Sequence, residues 1–291
     1  MKAKVNGTEL YFDVVGSELM PAGNDMIKRP ICFVLHGGPV IDHSYFRPWL
    51  DPLAEVMQLI YVDYRGTGRS QRMPIESYTR DNTIDDLEAL RLYLGLGRIA
   101  VFGHSHGGFL AQLYALKYPN SVSHLVLAAT SAYAGPEHEA DSKANLEQLA
   151  IDRPDLAEII HYRTNNPPAD DAEAKERFHR SFAIWFNQYD PQIGYEIIER
   201  TIFSLEVLHW WQQHEAHQFD VRPQLHQITA PTLVLAGRHD WRTTVKQAEI
   251  IAEGINGADL VVFEESAHQF YIEEQEKFLM VMGDFIKRHP S

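Results

Sequence analysis

Residues 99–108, Ile-Ala-Val-Phe-Gly-His-Ser-His-Gly-Gly, constrain the chain more than any other stretch. A short buried strand, IAVFG, runs into Gly103-His104-Ser105-His106-Gly107, and FLAQLYALKY then follows with helical spacing until Pro119 ends it. A strand-to-helix reversal this tight pushes Ser105 into strained backbone geometry and exposes its Oγ. The flanking glycines are needed because side chains there collide with neighbouring elements. The plain alternative is a glycine-rich βα turn with a capping serine, and what weighs against it is the acid and histidine that follow downstream.

The same rhythm extends along most of the chain. Residues 2–15 alternate as two short strands around the Asn6-Gly7 turn. Apolar runs at 31–37, 57–63, 125–129, 232–237 and 260–263 read as further strands. Helices are expected from Asn82 or Thr83 to about Leu94, from about Thr244, and from about Tyr271. Alternating strands and helices predict an α/β fold, a mostly parallel sheet with helices on both faces. From about Tyr133 to Gln227 no strand pattern is present, only helical spacing, prolines and charge. We therefore expect a core domain from 1–132 and 228–291, with an inserted helical cap (lid) at 133–227 over the carboxyl edge of the sheet, where such sheets bind ligands.

A serine hydroxyl is a poor nucleophile near neutral pH and needs a base, which in turn needs an orienting acid. With a serine on such a turn the chain order is serine, acid, histidine. Gly237-Arg238-His239-Asp240 follows the strand TLVLAG, and Glu264-Glu265-Ser266-Ala267-His268 follows LVVF. Asp240 and His268 are thus the expected acid and base. The plain alternatives are a helix N-cap for Asp240 and a loop histidine, one of 15 in the chain, for His268. Charge developing on a substrate carbonyl oxygen needs preorganised donors. The backbone N–H of His106, just after the serine, supplies one. The loop His36-Gly37-Gly38-Pro39 supplies the other, assigned to Gly38.

Those residues carry a resemblance. The chain resembles the α/β-hydrolases, and more narrowly it is similar to the proline-iminopeptidase-type serine aminopeptidases, through HGGP at 36–39 with His43 and Tyr45, DYRGTGRS at 63–70, GHSHGG at 103–108, and the GRHD and SAH segments. The resemblance implies the α/β-hydrolase fold, a helical cap, an acyl-enzyme mechanism and no cofactor. Two departures bear on substrate. The family commonly continues HGGP with glycine, and Val40 stands here. Some members bind a free amino group with an acid directly after the triad aspartate, and Trp241 stands there. Ile198-Glu199 through Phe203 match an I-E-x-x-x-F setting of a lid acid, which makes Glu199 an amine-binding candidate; otherwise it belongs to a solvated helix face. Trp49 and Trp241, which adjoin the catalytic loops, are expected to line the pocket in preference to any lid aromatic.

Composition excludes several other functions. With 26 Lys and Arg against 40 Asp and Glu the formal charge is −14, which argues against nucleic acid or an anionic membrane as partner. Residues 131–230 hold 17 acids and 8 bases, so the cap carries most of that charge. Such acidity either favours an amine-bearing substrate or simply solvates the outer faces of amphipathic helices. The one cysteine, Cys32, lies in a buried strand and fits a reducing compartment. With no apolar leader and no membrane-length run, the expectation is a cytoplasmic protein acting on a small-molecule or short-peptide substrate. HEAH at 214–217 is one residue short of the H-E-x-x-H zinc pattern, so no metal is expected. Three functions compete: an aminopeptidase of proline-iminopeptidase type, a carboxylesterase or lactonase for small hydrophobic acyl groups, and a non-catalytic binding protein on the same fold.

Overall fold

The computed structural model describes residues 1–290. Ten strands and ten α-helices follow the chain. They begin with β1 (Lys2–Val5), β2 (Thr8–Val15), β3 (Leu19–Ala22), β4 (Asp25–Lys28), β5 (Ile31–Leu35), β6 (Gln58–Val62), α1 (Arg80–Tyr93), β7 (Ile99–His104), α2 (His106–Lys117) and β8 (Val122–Ala128). Then come five helices without a strand: α3 (Pro136–Asp152), α4 (Ala157–Asn165), α5 (Asp171–Ser181), α6 (Pro191–Arg200) and α7 (Leu205–Trp210). The chain closes with β9 (Thr232–Gly237), α8 (Val245–Gly254), β10 (Asp259–Phe263), α9 (Phe270–Glu273) and α10 (Gln275–Arg288).

Eight strands form one sheet in the order β1-β2-β6-β5-β7-β8-β9-β10. It is parallel from β6 to β10, and β1 and β2 pair antiparallel at one edge. The central strands are buried on both faces, so their sequences are continuous apolar runs. Alternation still sorts them. Phe33, Leu35 and Val101 face a core shared with α1, α2 and α8. Cys32, Val34, Ala100 and Phe102 face a second core with α10 and part of the helical segment.

Two elements differ from expectation. Helix α1 begins at Arg80, because Thr79 Oγ1 accepts from the Asn82 N–H and caps it earlier than Asn82 or Thr83. The β3–β4 hairpin lies apart from the main sheet, and β4 is exposed along its length, so no apolar alternation marks it. The loop at 63–70 is tied down by both of its arginines. Arg65 forks onto the Asp86 carboxylate at 2.6 and 2.5 Å, and Arg69 Nη1 reaches Asp42 Oδ2 at 2.7 Å. No described helix is long and apolar enough to cross a membrane.

Candidate active site

The loops leaving β5, β7, β9 and β10 meet at the carboxyl edge of the sheet. Ser105, between β7 and α2, has φ 55° and ψ −118°. A non-glycine residue there costs roughly 1–3 kcal/mol, which the surroundings must overcome. They do so with three bonds: the Ser105 N–H donates to the Ala128 carbonyl (2.9 Å), and its own carbonyl accepts from the Thr130 hydroxyl (2.8 Å) and the Gly108 N–H (2.9 Å). Gly107 has no alternative, since a Cβ there would overlap the Leu35 and His36 carbonyl oxygens.

Asp240 and His268 meet as expected. Asp240 is buried in the loop after β9, and its four acceptor positions are filled. Oδ1 accepts from the Arg242 N–H (2.8 Å) and the Thr243 N–H (3.0 Å). Oδ2 accepts from the Thr243 hydroxyl (2.6 Å) and from His268 Nδ1–H (2.7 Å). Burial alone raises the Asp240 carboxyl, but His268 and the Thr243 bonds outweigh it and hold the pKa below the usual carboxylate range. Since Nδ1 carries the proton given to Asp240, Nε2 of His268 is the basic nitrogen. Ser105 and His268 line one cavity of about 460 Å³, together with Gly37, Gly38, His104 and Trp241.

The loop after β5 lies against the serine. A Cβ on Gly37 would sit 3.1 Å from Ser105 Cβ. The Gly37 N–H donates to the Tyr45 hydroxyl at 2.8 Å, which leaves the Gly38 amide as the unengaged one of the pair. The His106 N–H is in the first turn of α2, where an amide has no intrahelical acceptor. The Tyr45 hydroxyl passes its proton toward His104 Nδ1 (2.8 Å), and His104 Nε2–H donates to the His268 carbonyl (3.1 Å). Burial and the nearby His268 pull His104 down to about 3, so it is neutral and its tautomer is set by these two bonds. One relay therefore joins the glycine loop, the residue before Ser105 and the backbone of His268. His104 serves as a bonded link, as its sequence position alone did not reveal.

The substrate-facing expectations fare unevenly. Trp241 lines the cavity, and its Nε1–H donates to the Ile184 carbonyl at 2.9 Å. Trp49 is not on the cavity wall. It packs against the core beneath, and its carbonyl accepts from Gln275 Nε2. Glu199 is not on the wall either. It is exposed and pairs with Lys175 Nζ (3.1 Å) and His179 Nε2 (2.9 Å), which hold its carboxyl below the usual range. A lid aromatic, Trp185, is the one that reaches the histidine: its ring centre lies 4.8 Å from that of His268 and 4.9 Å from that of Trp241, tilted against both. Thr243 and Glu273 were also missed. Glu273 accepts from the Ala267, Asn187 and Gln188 N–H groups, each at 2.8 Å. The only signal for Thr243 was its place three residues after Asp240.

One group of possible metal ligands lies elsewhere, in Asp42, His43 and Asp63, all buried. Their atoms are engaged with one another and with neighbours. His43 Nδ1–H donates to Asp63 Oδ1 (2.6 Å), Asp63 Oδ2 takes the Arg69 N–H, and Asp42 takes the Ser44 hydroxyl and Arg69. They act as a strut for the loop at 63–70. The His214 ring centre lies 4.0 Å from that of Trp210, tilted against it, and Glu215 pairs with Arg80, so these two residues of the HEAH segment are likewise engaged.

The chain is similar to known proteins in sequence and in fold. The family model described as alpha/beta hydrolase fold matches residues 30–275. A proline iminopeptidase of Heyndrickxia coagulans is 32% identical over 96% of this chain and 98% of its own. Another, from Saccharolobus solfataricus, is 32% identical over 87% and 83%. The solved structure of an esterase from Exiguobacterium antarcticum superposes with a TM-score of 0.71, at 25% identity and 97% coverage of both chains. With its parallel sheet and its serine at the β7–α2 turn, the chain is a hydrolase and belongs to the α/β-hydrolase family, with proline iminopeptidases among its relatives.

Proposed function

We propose that Ser105 is the nucleophile, His268 the general base and Asp240 the residue that orients it. The observation that carries this is the strained Ser105 and His268 on the wall of one cavity, with Asp240 buried behind His268 and bonded to its Nδ1. Ser105 Oγ attacks an ester or amide carbonyl carbon while its proton passes to His268 Nε2. The N–H groups of Gly38 and His106 receive the oxyanion. Collapse of the tetrahedral intermediate breaks the bond to the alcohol or amine, which leaves with the proton from Nε2. Water then repeats the sequence on the acyl-enzyme and frees Ser105. Loss of one oxyanion donor costs about 2.7–4 kcal/mol in the barrier. The helices of 133–227 are the cap of this site, supplying its far wall.

The first substrate assignment is an aminopeptidase of proline-iminopeptidase type, supported by the relatives at 32% identity. The substrate amine then meets Glu139 or Glu147, the carboxylates on the cavity wall, in place of Glu199. Glu139 is already paired with Arg242. That pairing, together with Trp241 after the aspartate, favours a second assignment, an esterase or lactonase. Proline and alanine anilides assayed beside short p-nitrophenyl esters separate the two. Anilide turnover is expected under the first, and negligible anilide cleavage beside fast ester cleavage sinks it. Labelling of Ser105→Ala by a fluorophosphonate probe at the native rate overturns the nucleophile assignment.

A further inference from the structure

The far wall of the cavity carries two arginines with no acid. Arg163 is on α4 and Arg177 on α5, and both line the cavity. Among the described residues neither has a carboxylate within ion-pair distance, although most arginines of the chain do. Arg163 gives one side-chain bond, from Nη1 to the Ser181 hydroxyl (3.0 Å), and Arg177 gives its bonds to the Arg163 carbonyl. The other charged groups on the wall are engaged or distant in role: Arg242 forks onto Glu139, and Lys143 sits 4.0 Å from Glu147, both well exposed. Burial, with Arg177 and Arg242 nearby, pulls Arg163 down to about 9, and it remains a cation at neutral pH.

A half-buried guanidinium without a counter-ion is costly, and it persists where something else gains from it. Its position suggests what. The Arg163 Cζ lies 5.2 Å from the centre of the Trp185 ring and 5.7 Å from that of Phe178. The Trp185 ring in turn lies 4.8 Å from that of His268, tilted by 49°. The cation is thus one aromatic ring away from the expected base, set over two aromatic rings, with four of its five N–H donors unengaged. A planar fork in that state matches a carboxylate, which accepts two parallel N–H bonds.

We propose that Arg163, assisted by Arg177, binds a free carboxylate on the substrate, a few bonds from the carbonyl that Ser105 attacks. The inference rests on the hydrolase assignment above and narrows it to small carboxylate-bearing esters or amides. The carboxylate has two possible sources: the acyl part, as in a dicarboxylic half-ester, or the leaving group, as in a dipeptide with a free C-terminus.

Two matched pairs test it. The acyl arm compares p-nitrophenyl hydrogen glutarate with p-nitrophenyl valerate. The leaving-group arm compares prolyl-alanine with prolyl-alanine amide. In one arm the anionic member is expected to have at least a tenfold higher kcat/KM, and Arg163→Met is expected to reduce that ratio at least tenfold, Arg177→Met less. Glutarate is expected to compete with the neutral ester in the native enzyme, and its binding, measured by calorimetry, should weaken in Arg163→Met. This holds whether or not turnover is seen. If Arg163→Met fails to fold, Arg163→Lys replaces it, keeping the charge and losing the fork. Ratios near one in both arms, with Ser105 still labelled by fluorophosphonate, overturn the carboxylate site and leave the hydrolase intact. Absent labelling and turnover overturn the hydrolase assignment instead, and glutarate binding unaffected by Arg163→Met then overturns the site as well.

Discussion

Asp240, buried behind His268 beneath the floor of the cavity, accepts four hydrogen bonds, whereas the side chain of Arg163, on its roof, donates one. The contrast extends to their neighbours. On the floor, Tyr45, His104 and the backbone of His268 are joined in series, and the Ser105 backbone is bonded at both ends. On the roof, aromatic rings and long cationic side chains meet the open space with few partners. The difference teaches a division of labour. Atoms that must hold a reacting carbonyl are over-determined by the sheet edge. Atoms that select which molecule enters are left to side chains on helices, where a substitution disturbs less of the fold.

Substitutions on the two walls sharpen or break that division. The largest effect belongs to Ser105→Ala, for which kcat should fall by about 10⁶; a loss under a hundredfold in steady-state assays breaks the assignment. Asp240→Asn should lower kcat by about 10⁴ with the fold intact, because the amide imposes the wrong tautomer on His268. Circular dichroism with kinetics checks both halves.

Acid should act next, on both walls, since His138 lies on α3. Burial keeps His104 and His106 at about 3 and His138 at about 4 in the folded protein. An unfolded histidine takes up its proton near pH 6.5. Stability from these three is therefore complete above that pH and is lost as pH falls from there toward 4, by up to about 1.4 kcal/mol per pH unit for each. His43 opposes them: burial pushes it down, but the Asp63 carboxylate more than reverses this and raises it. Urea midpoints should drop between pH 7 and pH 5, and a flat profile refutes the neutral histidines.

Smaller effects separate floor from roof. Tyr45→Phe strands the Gly37 N–H and His104 Nδ1 and should cost about 1–3 kcal/mol of stability. It should lower kcat more than it raises KM. Leu146→Ala, on the roof, should stay within about 1 kcal/mol in stability, since Leu146 is only partly buried, and should act on KM. Reversal of these two kinetic signatures removes the distinction between the walls.

The floor was largely legible in the sequence and the roof was not, for a physical reason. Strand ends place Ser105, Asp240 and His268 by chain order, since a parallel sheet delivers successive loops to one edge. The loop glycines are legible because tight turns exclude side chains. Helix packing carries no comparable rule. Nothing in the spacing of 133–227 says that Trp185 reaches His268 or that Arg163 turns inward while Glu199 faces Lys175 and His179. Trp49 misled for the same reason: closeness in sequence to a catalytic loop was mistaken for closeness to its cavity. The β3–β4 hairpin escaped because exposed strands lack the apolar period that marks buried ones.

Glu273 joins the two walls. One carboxylate oxygen takes the amides of Asn187 and Gln188 from the helical segment, and the other takes the amide of Ala267, next to His268. The corner of the roof and the His268 loop thus share this fastening, with the bond from Asn187 Nδ2 to the Glu265 carbonyl (2.8 Å) beside it. A displacement that lifts 187–188 either breaks two charge-assisted bonds or draws on the histidine's own loop. Opening the chamber and disturbing the loop of the proposed base are, at this carboxylate, coupled.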